Sequence, residues 1–167
     1  MWPETREQRC WNHKLVNVLD ALPKKMQAMA RELLCAIPYA PTRAEALKRR
    51  ERFAKAFRGT HPRAVEILER DWERMVAFYD FPKEHWKHLR TTNVVESPFA
   101  SVRLRTDASK RFKKVENATT LIGTTLLVVE QHFRTLNAPH LCSSVYDGVV
   151  YCDGVRVIRP PRELRAA

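Results

Sequence analysis

The sequence predicts a mainly α-helical protein with a short β-hairpin near its C-terminal end. The 167-residue chain has only four glycines, and Ala, Leu, Glu, Lys and Arg are common, a composition that favours helices. Apolar residues recur at helical spacing along most of the chain. Near the end, Asp153-Gly154 separates two apolar runs, which is typical of a tight hairpin turn. A chain of this length suits one domain with a buried core.

Four apolar stripes predict four helices in the first half of the chain. They span residues 15–22, 26–37, 42–59 and 62–79. Thr42 and Glu45 form a capping box at the start of the third helix. Pro62 suits the first position of the fourth helix, where its missing N–H costs no hydrogen bond.

The second half is less regular. Residues 80–90 predict a loop with one helical turn, and residues 93–105 a helix. A basic connector is expected over 106–117 and a long apolar helix over 118–136. At the other end of the chain, residues 7–11 predict a short strand. A lone strand cannot form a sheet. Its partner is therefore either the late hairpin or a strand in sequence outside this chain.

The charge balance points to a polyanionic partner. Thirty Lys and Arg against nineteen Asp and Glu give a net charge of +11. Nucleic acid is the favoured partner, over a basic surface without a specific partner or an anionic membrane. The chain has no secretory signal and no long apolar run, so we expect a cytoplasmic protein with no membrane partner.

The cysteines are too scattered for a disulfide framework, which also fits a reducing compartment. They are Cys10, Cys35, Cys142 and Cys152.

Glu96, in "TTNVVESPFASVRLR", is a candidate catalytic carboxylate. In one interpretation it completes a capping box with Asn93. In the other, Ser97 caps a helix whose first residue is Pro98. The second is favoured, because a proline further into the helix would delete a backbone hydrogen bond. It also leaves Glu96 without a capping role.

Cys10 and His13 are spaced so that they could share a metal ion. A zinc site needs four ligands, and a second pair is not obvious. We therefore favour a buried thiol beside a hydrogen-bonded histidine over a zinc module.

A cluster of basic residues follows Glu96 and predicts a track that contacts nucleic-acid phosphates. Its members are Arg103, Arg105, Lys110, Arg111, Lys113 and Lys114. Phe112 lies among them and could pack or stack. A second cluster, "KRRER" at 48–52, is weaker because Glu51 interrupts it. For both clusters the alternative is a solvated helix face.

Two long blocks resemble the Mutator-type transposases of bacterial insertion sequences. They are "WPETREQRCWNHKLVNVLDALPK" and "FPKEHWKHLRTTNVVESPFASVRLRT". The similarity continues through "KKVENATTLI" and "LNAPHL", and so covers the chain from Trp2 to about Gly154.

The resemblance implies a ribonuclease-H-like α/β core interrupted by an all-helical insertion. Enzymes of this kind hold two Mg²⁺ (or Mn²⁺) ions on an Asp, Asp, Glu triad and cut and join DNA strands. The glutamate of the triad falls on Glu96, as a magnesium ligand. The family's Cys-x-x-His motif falls on Cys10 and His13, where it would brace the insertion.

The resemblance also implies a division of the chain. Residues 1–13 would be a residual strand and junction of the core, and 14–90 the insertion. Residues 91–136 would be core helices carrying Glu96, and 137–167 a tail with the hairpin.

The resemblance further implies that both aspartates would precede Met1, on a sheet that is mostly missing here. Asp20, Asp71 and Asp80 fall on helices or in a loop and do not replace them.

We therefore expect a C-terminal fragment of a transposase that binds no metal alone and is catalytically incomplete. Its partners would be transposon-end DNA, a full-length transposase or further copies of itself. The alternatives are a non-catalytic DNA-binding or interfering fragment and a small zinc-binding module.

Overall fold

The computed structural model describes residues 6–158, apart from the side chains of Val94 and Val95. This part of the chain is mainly helical, as predicted. Its helices are α1 (Trp11–Asp20), α2 (Lys24–Ala36), α3 (Arg43–Phe57), α4 (Pro62–Glu69), α5 (Trp72–Met75), α6 (Trp86–Leu89), α7 (Asn93–Ser109), α8 (Val115–Glu130) and α9 (Leu141–Tyr146). Short 3-10 turns cover Ala77–Asp80 and Lys83–His85. None of the helices in residues 6–158 is long and apolar enough to cross a membrane.

Helices α1 to α4 form a bundle around one apolar core. Helix α1 packs against α2 and α4, and α3 packs against the same two helices. The core buries several large side chains almost completely, among them those of Trp11, Leu34, Phe53, Phe57 and Tyr79. Each such side chain stabilises the fold by about 1.5–3 kcal/mol relative to an exposed one. The core also fixes Trp11, whose indole Nε1 donates to the carbonyl oxygen of Met75 at 2.8 Å.

The fourth predicted helix is broken, so the single helix expected over 62–79 is wrong. Helix α4 ends at Glu69, and Asp71 then adopts a left-handed backbone with φ of 60°. Asp tolerates this conformation better than most residues. The buried Lys14 donates to the carbonyl oxygens of Ile67 at 2.8 Å and Arg70 at 2.7 Å. These bonds place a cation at the end of α4, where the helix dipole favours it.

The predicted strand over residues 7–11 is also wrong. Residues 6–10 are irregular, and Trp11 already begins α1. The late hairpin cannot be the partner of this segment, because β1 (Tyr151–Cys152) pairs antiparallel with β2 (Val155–Arg156) in the two-stranded sheet. Instead, the Arg9 N–H donates to the carbonyl oxygen of Arg74 at 2.9 Å. An extended segment becomes a strand only beside another strand, and the described residues place none there.

Helices α7 and α8 pack mainly against each other. The basic connector is shorter than predicted, at residues 110–114, and the long apolar helix stops at Glu130 instead of residue 136. Helix α8 has no buried residue, although it is the more apolar of the two. Leu104 and Leu127 are 71% and 64% exposed. The pair therefore presents an apolar surface that the bundle does not cover.

The hairpin turn is seated on the bundle. The Gly154 N–H donates to the carbonyl oxygen of Tyr79 at 3.1 Å, and its own carbonyl accepts from the Lys83 N–H at 3.3 Å. The Asp153 carboxylate accepts from the Arg43 N–H, at the start of α3, at 2.7 Å. Gly154 has φ of +81°, and a Cβ atom built there would lie 2.7 Å from the Lys83 Cβ. Only glycine fits this close approach.

Gly154→Ala is expected to cost more stability than Gly148→Ala. Both glycines have positive φ, so each change costs about 1–2 kcal/mol of backbone strain. Only the Cβ at 154 meets other atoms within 4 Å, which adds about 1–3 kcal/mol of overpacking. Urea unfolding followed by tryptophan fluorescence measures both losses. Equal losses would contradict the seating of the hairpin.

Candidate functional site

The start of α1 and the start of α7 are joined, although they lie about 80 residues apart in the chain. The Trp11 N–H donates to the carbonyl oxygen of Arg90 at 2.9 Å. The Asn12 amide donates to Asn93 Oδ1 at 3.1 Å. The Thr92 N–H donates to Cys10 Sγ at 3.4 Å. We call this set of contacts the α1–α7 joint. It brings the Cys-x-x-His motif next to the segment that carries Glu96.

Glu96 lies in the first turns of α7 and is about half exposed. The Thr92 hydroxyl, four residues earlier, donates a hydrogen bond to its carboxylate. His13 Nε2 lies 3.7 Å from Glu96 Oε1. The structure therefore brings Cys10, His13 and Glu96 together in one cluster.

Neither predicted helix cap is formed. Helix α7 begins at Asn93, so the favoured cap, Ser97 before Pro98, is wrong. Pro98 lies inside the helix, which loses one backbone hydrogen bond near its start. The capping box is also absent, because the N-cap residue is Thr92 and no side chain caps the helix. The side chain of Asn93 accepts from Asn12 instead. Contacts across the joint thus outweigh the local capping preference.

The cluster changes the proton affinities of its members. Burial raises the pKa of the Cys10 thiol, but hydrogen bonds from Thr92 and His13 outweigh burial and lower this pKa to about 7. The hydrogen bond to Cys10 raises the pKa of His13, and the charges of Cys10 and Glu96 raise it further. With a pKa of about 7, the Cys10 thiol is partly ionised near neutral pH, and the raised pKa of His13 makes it bind a proton more readily than an ordinary histidine.

The rate at which iodoacetamide alkylates Cys10 should rise with pH through a midpoint near 7, because the thiolate is the nucleophile. His13→Ala should move this midpoint upward, since it removes hydrogen bonds that stabilise the thiolate. Peptide mass spectrometry across a pH series measures the rate at Cys10 alone. The assignment fails if the substitution leaves the profile unchanged.

The described residues do not provide a magnesium site. Residues 6–158 contain no group of three or more His, Cys, Asp or Glu side chains that could hold a metal ion. Asp71 pairs with Arg9 and Arg74, and Asp80 pairs with Arg6 at 2.9 Å. Mg²⁺ prefers several oxygen ligands, whereas Glu96 is grouped here with a thiol and an imidazole. The donor set around Glu96 does not fit the ion. The zinc interpretation of Cys10 and His13 also lacks a full ligand set among these residues.

The predicted phosphate track lies on the second half of α7 and on the loop before α8. All six of its basic residues are exposed: Arg103, Arg105, Lys110, Arg111, Lys113 and Lys114. None of them is within ion-pair distance of a carboxylate of the described residues. Phe112 is half-buried beside them. Exposed cations without acidic partners can bind phosphate without first breaking an ion pair.

The 48–52 cluster is divided between two roles. Arg49 donates to the carbonyl oxygen of Ala36 at 2.6 Å, and the Arg50 guanidinium lies over the Trp72 ring at 4.5 Å. These two arginines therefore have structural roles. Lys48 and Arg52 point to solvent.

Comparison with known proteins shows which family the sequence belongs to. A family model described as "Transposase, Mutator family" matches residues 1–135. The chain belongs to the Mutator family of transposases. The matched range contains the α1–α7 joint, Glu96 and the phosphate track, and it ends before α9 and the hairpin.

Individual insertion-sequence transposases are similar over most of the chain. The chain is 40% identical over 154 residues to the transposase for insertion sequence element IST2 of Acidithiobacillus ferrooxidans, covering 92% of this chain and 52% of the relative. It is 38% identical over 160 residues to the transposase for IS6120 of Mycolicibacterium smegmatis, covering 96% and 50%. The chain thus spans about half the length of these relatives.

Sequence reasoning missed the residues that orient Glu96. Thr92 precedes the helix and lies four residues before Glu96, a spacing that puts the two side chains on one helix face. The four-residue spacing could therefore have predicted the contact between Thr92 and Glu96 from the sequence. The bond between Asn12 and Asn93 left no signal in the sequence, because it depends on the path of the chain through the bundle.

Proposed function

We propose that this chain is the part of an insertion-sequence transposase that supplies one catalytic carboxylate, Glu96, and a DNA-contacting surface. Membership of the Mutator family supports a role in transposition. The observation that carries the assignment is the α1–α7 joint. It brings His13 to within 3.7 Å of Glu96, and the resemblance assigns these two residues to the family's Cys-x-x-His motif and to its glutamate.

Glu96 would act as a metal ligand only in company with other carboxylates. The described part of the chain places none beside it, and Asp71 and Asp80 are engaged by arginines. We therefore propose that the chain does not cut or join DNA by itself. The further carboxylates would be supplied by residues other than the described ones, for example those of a full-length transposase.

The chain's own residues would orient the carboxylate. Thr92 donates to Glu96, and His13 places a positive charge beside it when protonated. The joint anchors the first turn of α7 to the helical bundle, so the carboxylate keeps a fixed position relative to the bundle. Fixed positions matter because a shift of about 1 Å at a catalytic group can cost about 10²-fold in rate.

A fusion protein tests the role of Glu96. The part of the IST2 transposase that this chain does not cover is joined to it, and cleavage of a DNA duplex carrying the transposon end is measured. We expect the fusion to cleave, the chain alone to be inactive, and Glu96→Gln in the fusion to lower the rate at least about 10²-fold.

Glu116→Gln is the matched control, because Glu116 is an exposed glutamate in the first turn of α8. This change should leave cleavage unaltered. A fusion that cleaves equally well with Gln at position 96 would contradict the catalytic assignment.

A second candidate function is non-catalytic binding of DNA, which could interfere with a complete transposase. The six exposed cations of the phosphate track favour it, and they need neither Glu96 nor a metal ion. The net charge of +11 also favours binding to DNA, which is a polyanion.

Binding to a fluorescent duplex should be unaffected by EDTA and by Glu96→Gln. Arg103→Gln with Arg105→Gln should reduce the log–log salt slope by about 1.8, because each phosphate contact contributes about 0.9. Fluorescence anisotropy at several salt concentrations measures both effects. The control pair is Arg58→Gln with Arg70→Gln, whose side chains are already paired with Glu69 and Glu66. Equal effects of the two pairs would contradict the track.

A further inference from the structure

Three cations form a line along the solvent side of α3. Lys48, Arg52 and Lys55 are all exposed. At about 100° per residue they fall within a narrow arc of the helix, opposite the side that enters the core. The buried residues of α3 are Ala46, Phe53, Ala54 and Phe57. We call the three cations the α3 stripe.

The acidic residues of α3 are already engaged by other arginines. Glu45 pairs with Arg49 at 3.4 Å, and Glu51 pairs with Arg50 at 2.6 Å. Both arginines are held from the inner side, by the carbonyl oxygen of Ala36 and by the ring of Trp72. Within residues 6–158, no carboxylate lies within ion-pair distance of a member of the α3 stripe.

Several other arginines of the bundle have a different environment. Arg58, Arg70 and Arg74 are exposed to a similar degree, but each pairs with a glutamate: Glu69, Glu66 and Glu7 respectively. These three arginines are thus neutralised by glutamates, whereas the members of the α3 stripe keep their full charge.

The spacing of the stripe suits a nucleic-acid backbone. A helix rises about 1.5 Å per residue, so Lys48 and Lys55 are about 10.5 Å apart along the axis. The phosphates of one DNA strand follow one another at about 3.4 Å along the duplex axis, so long Lys and Arg side chains spread over this length can reach neighbouring phosphates.

We propose that the α3 stripe is a second DNA-contacting surface, separate from the track on α7. The proposal rests on the proposed DNA-binding function. DNA is favoured over an anionic membrane because a membrane-binding helix needs a free apolar face, and the apolar face of α3 is buried in the bundle. The helical part of the chain therefore binds phosphates itself, in addition to anchoring Glu96.

Two triple variants of the full chain test the proposal. One carries Lys48→Gln, Arg52→Gln and Lys55→Gln. The other carries Arg58→Gln, Arg70→Gln and Arg74→Gln. Both lower the net charge by three, from +11 to +8. The probe is a fluorescent DNA duplex, and the dissociation constant is measured between about 50 and 200 mM salt. Circular dichroism checks that both variants remain folded.

The stripe variant should reduce the salt slope by about 2.7, three contacts at about 0.9 each. Its loss of affinity between about 50 and 200 mM salt should then be about 40-fold smaller than that of the wild type. The control variant should change the slope much less, because its arginines are already paired. Equal effects of the two variants, or no effect of the stripe variant, would overturn the proposal.

The test separates this proposal from the α7 track. If the Arg103/Arg105 variant has no effect but the stripe variant does, the track fails and the stripe stands. If the track variant alone weakens binding, the stripe fails. Failure of the wild-type chain to bind duplex DNA would overturn both. Stripe-dependent binding to vesicles containing phosphatidylserine, with DNA binding unchanged, would identify a membrane surface and overturn the proposal.

Discussion

The hydrogen bonds between the start of α1 and the start of α7 are the constraint on which the candidate site depends. They include a backbone bond from Trp11 to Arg90 and a bond from Thr92 to the Cys10 thiol. The Arg90 side chain extends the anchorage by donating to the carbonyl oxygen of Pro38 at 2.7 Å. These bonds hold the start of α7 against the bundle. With them, Glu96 is held beside Cys10 and His13.

The distribution of charge follows from the same architecture. Most acidic residues of the bundle form ion pairs with cations of the bundle itself, as Asp71 and Asp80 do with arginines. The excess cations remain on outer faces, where they keep their charge in water. A protein arranged in this way attracts polyanions over its whole surface, and the lines of exposed cations on α3 and α7 concentrate that attraction.

The α7–α8 pair combines two features that belong to an interface. It exposes apolar residues such as Leu104 and Leu127, and it carries Glu96, which belongs to no metal-binding group of three or more His, Cys, Asp or Glu side chains among the described residues. Carboxylates that joined Glu96 in a metal site would have to approach the same region. One contact surface could then both bury the apolar area and complete the site.

The sequence by itself determined the helical class, the starts of α3 and α4 and the hairpin, because these depend on local periodicity, on capping residues and on turn residues such as Asp153-Gly154. It also indicated Cys10, His13, Glu96 and the cations as the residues to examine. Only the tertiary structure decided that the first three lie together and that Thr92 orients the carboxylate. It also decided that residues 7–11 form no strand and that α7 begins before Pro98. These outcomes depend on contacts between segments about 80 residues apart, and local sequence patterns do not specify which distant groups will meet.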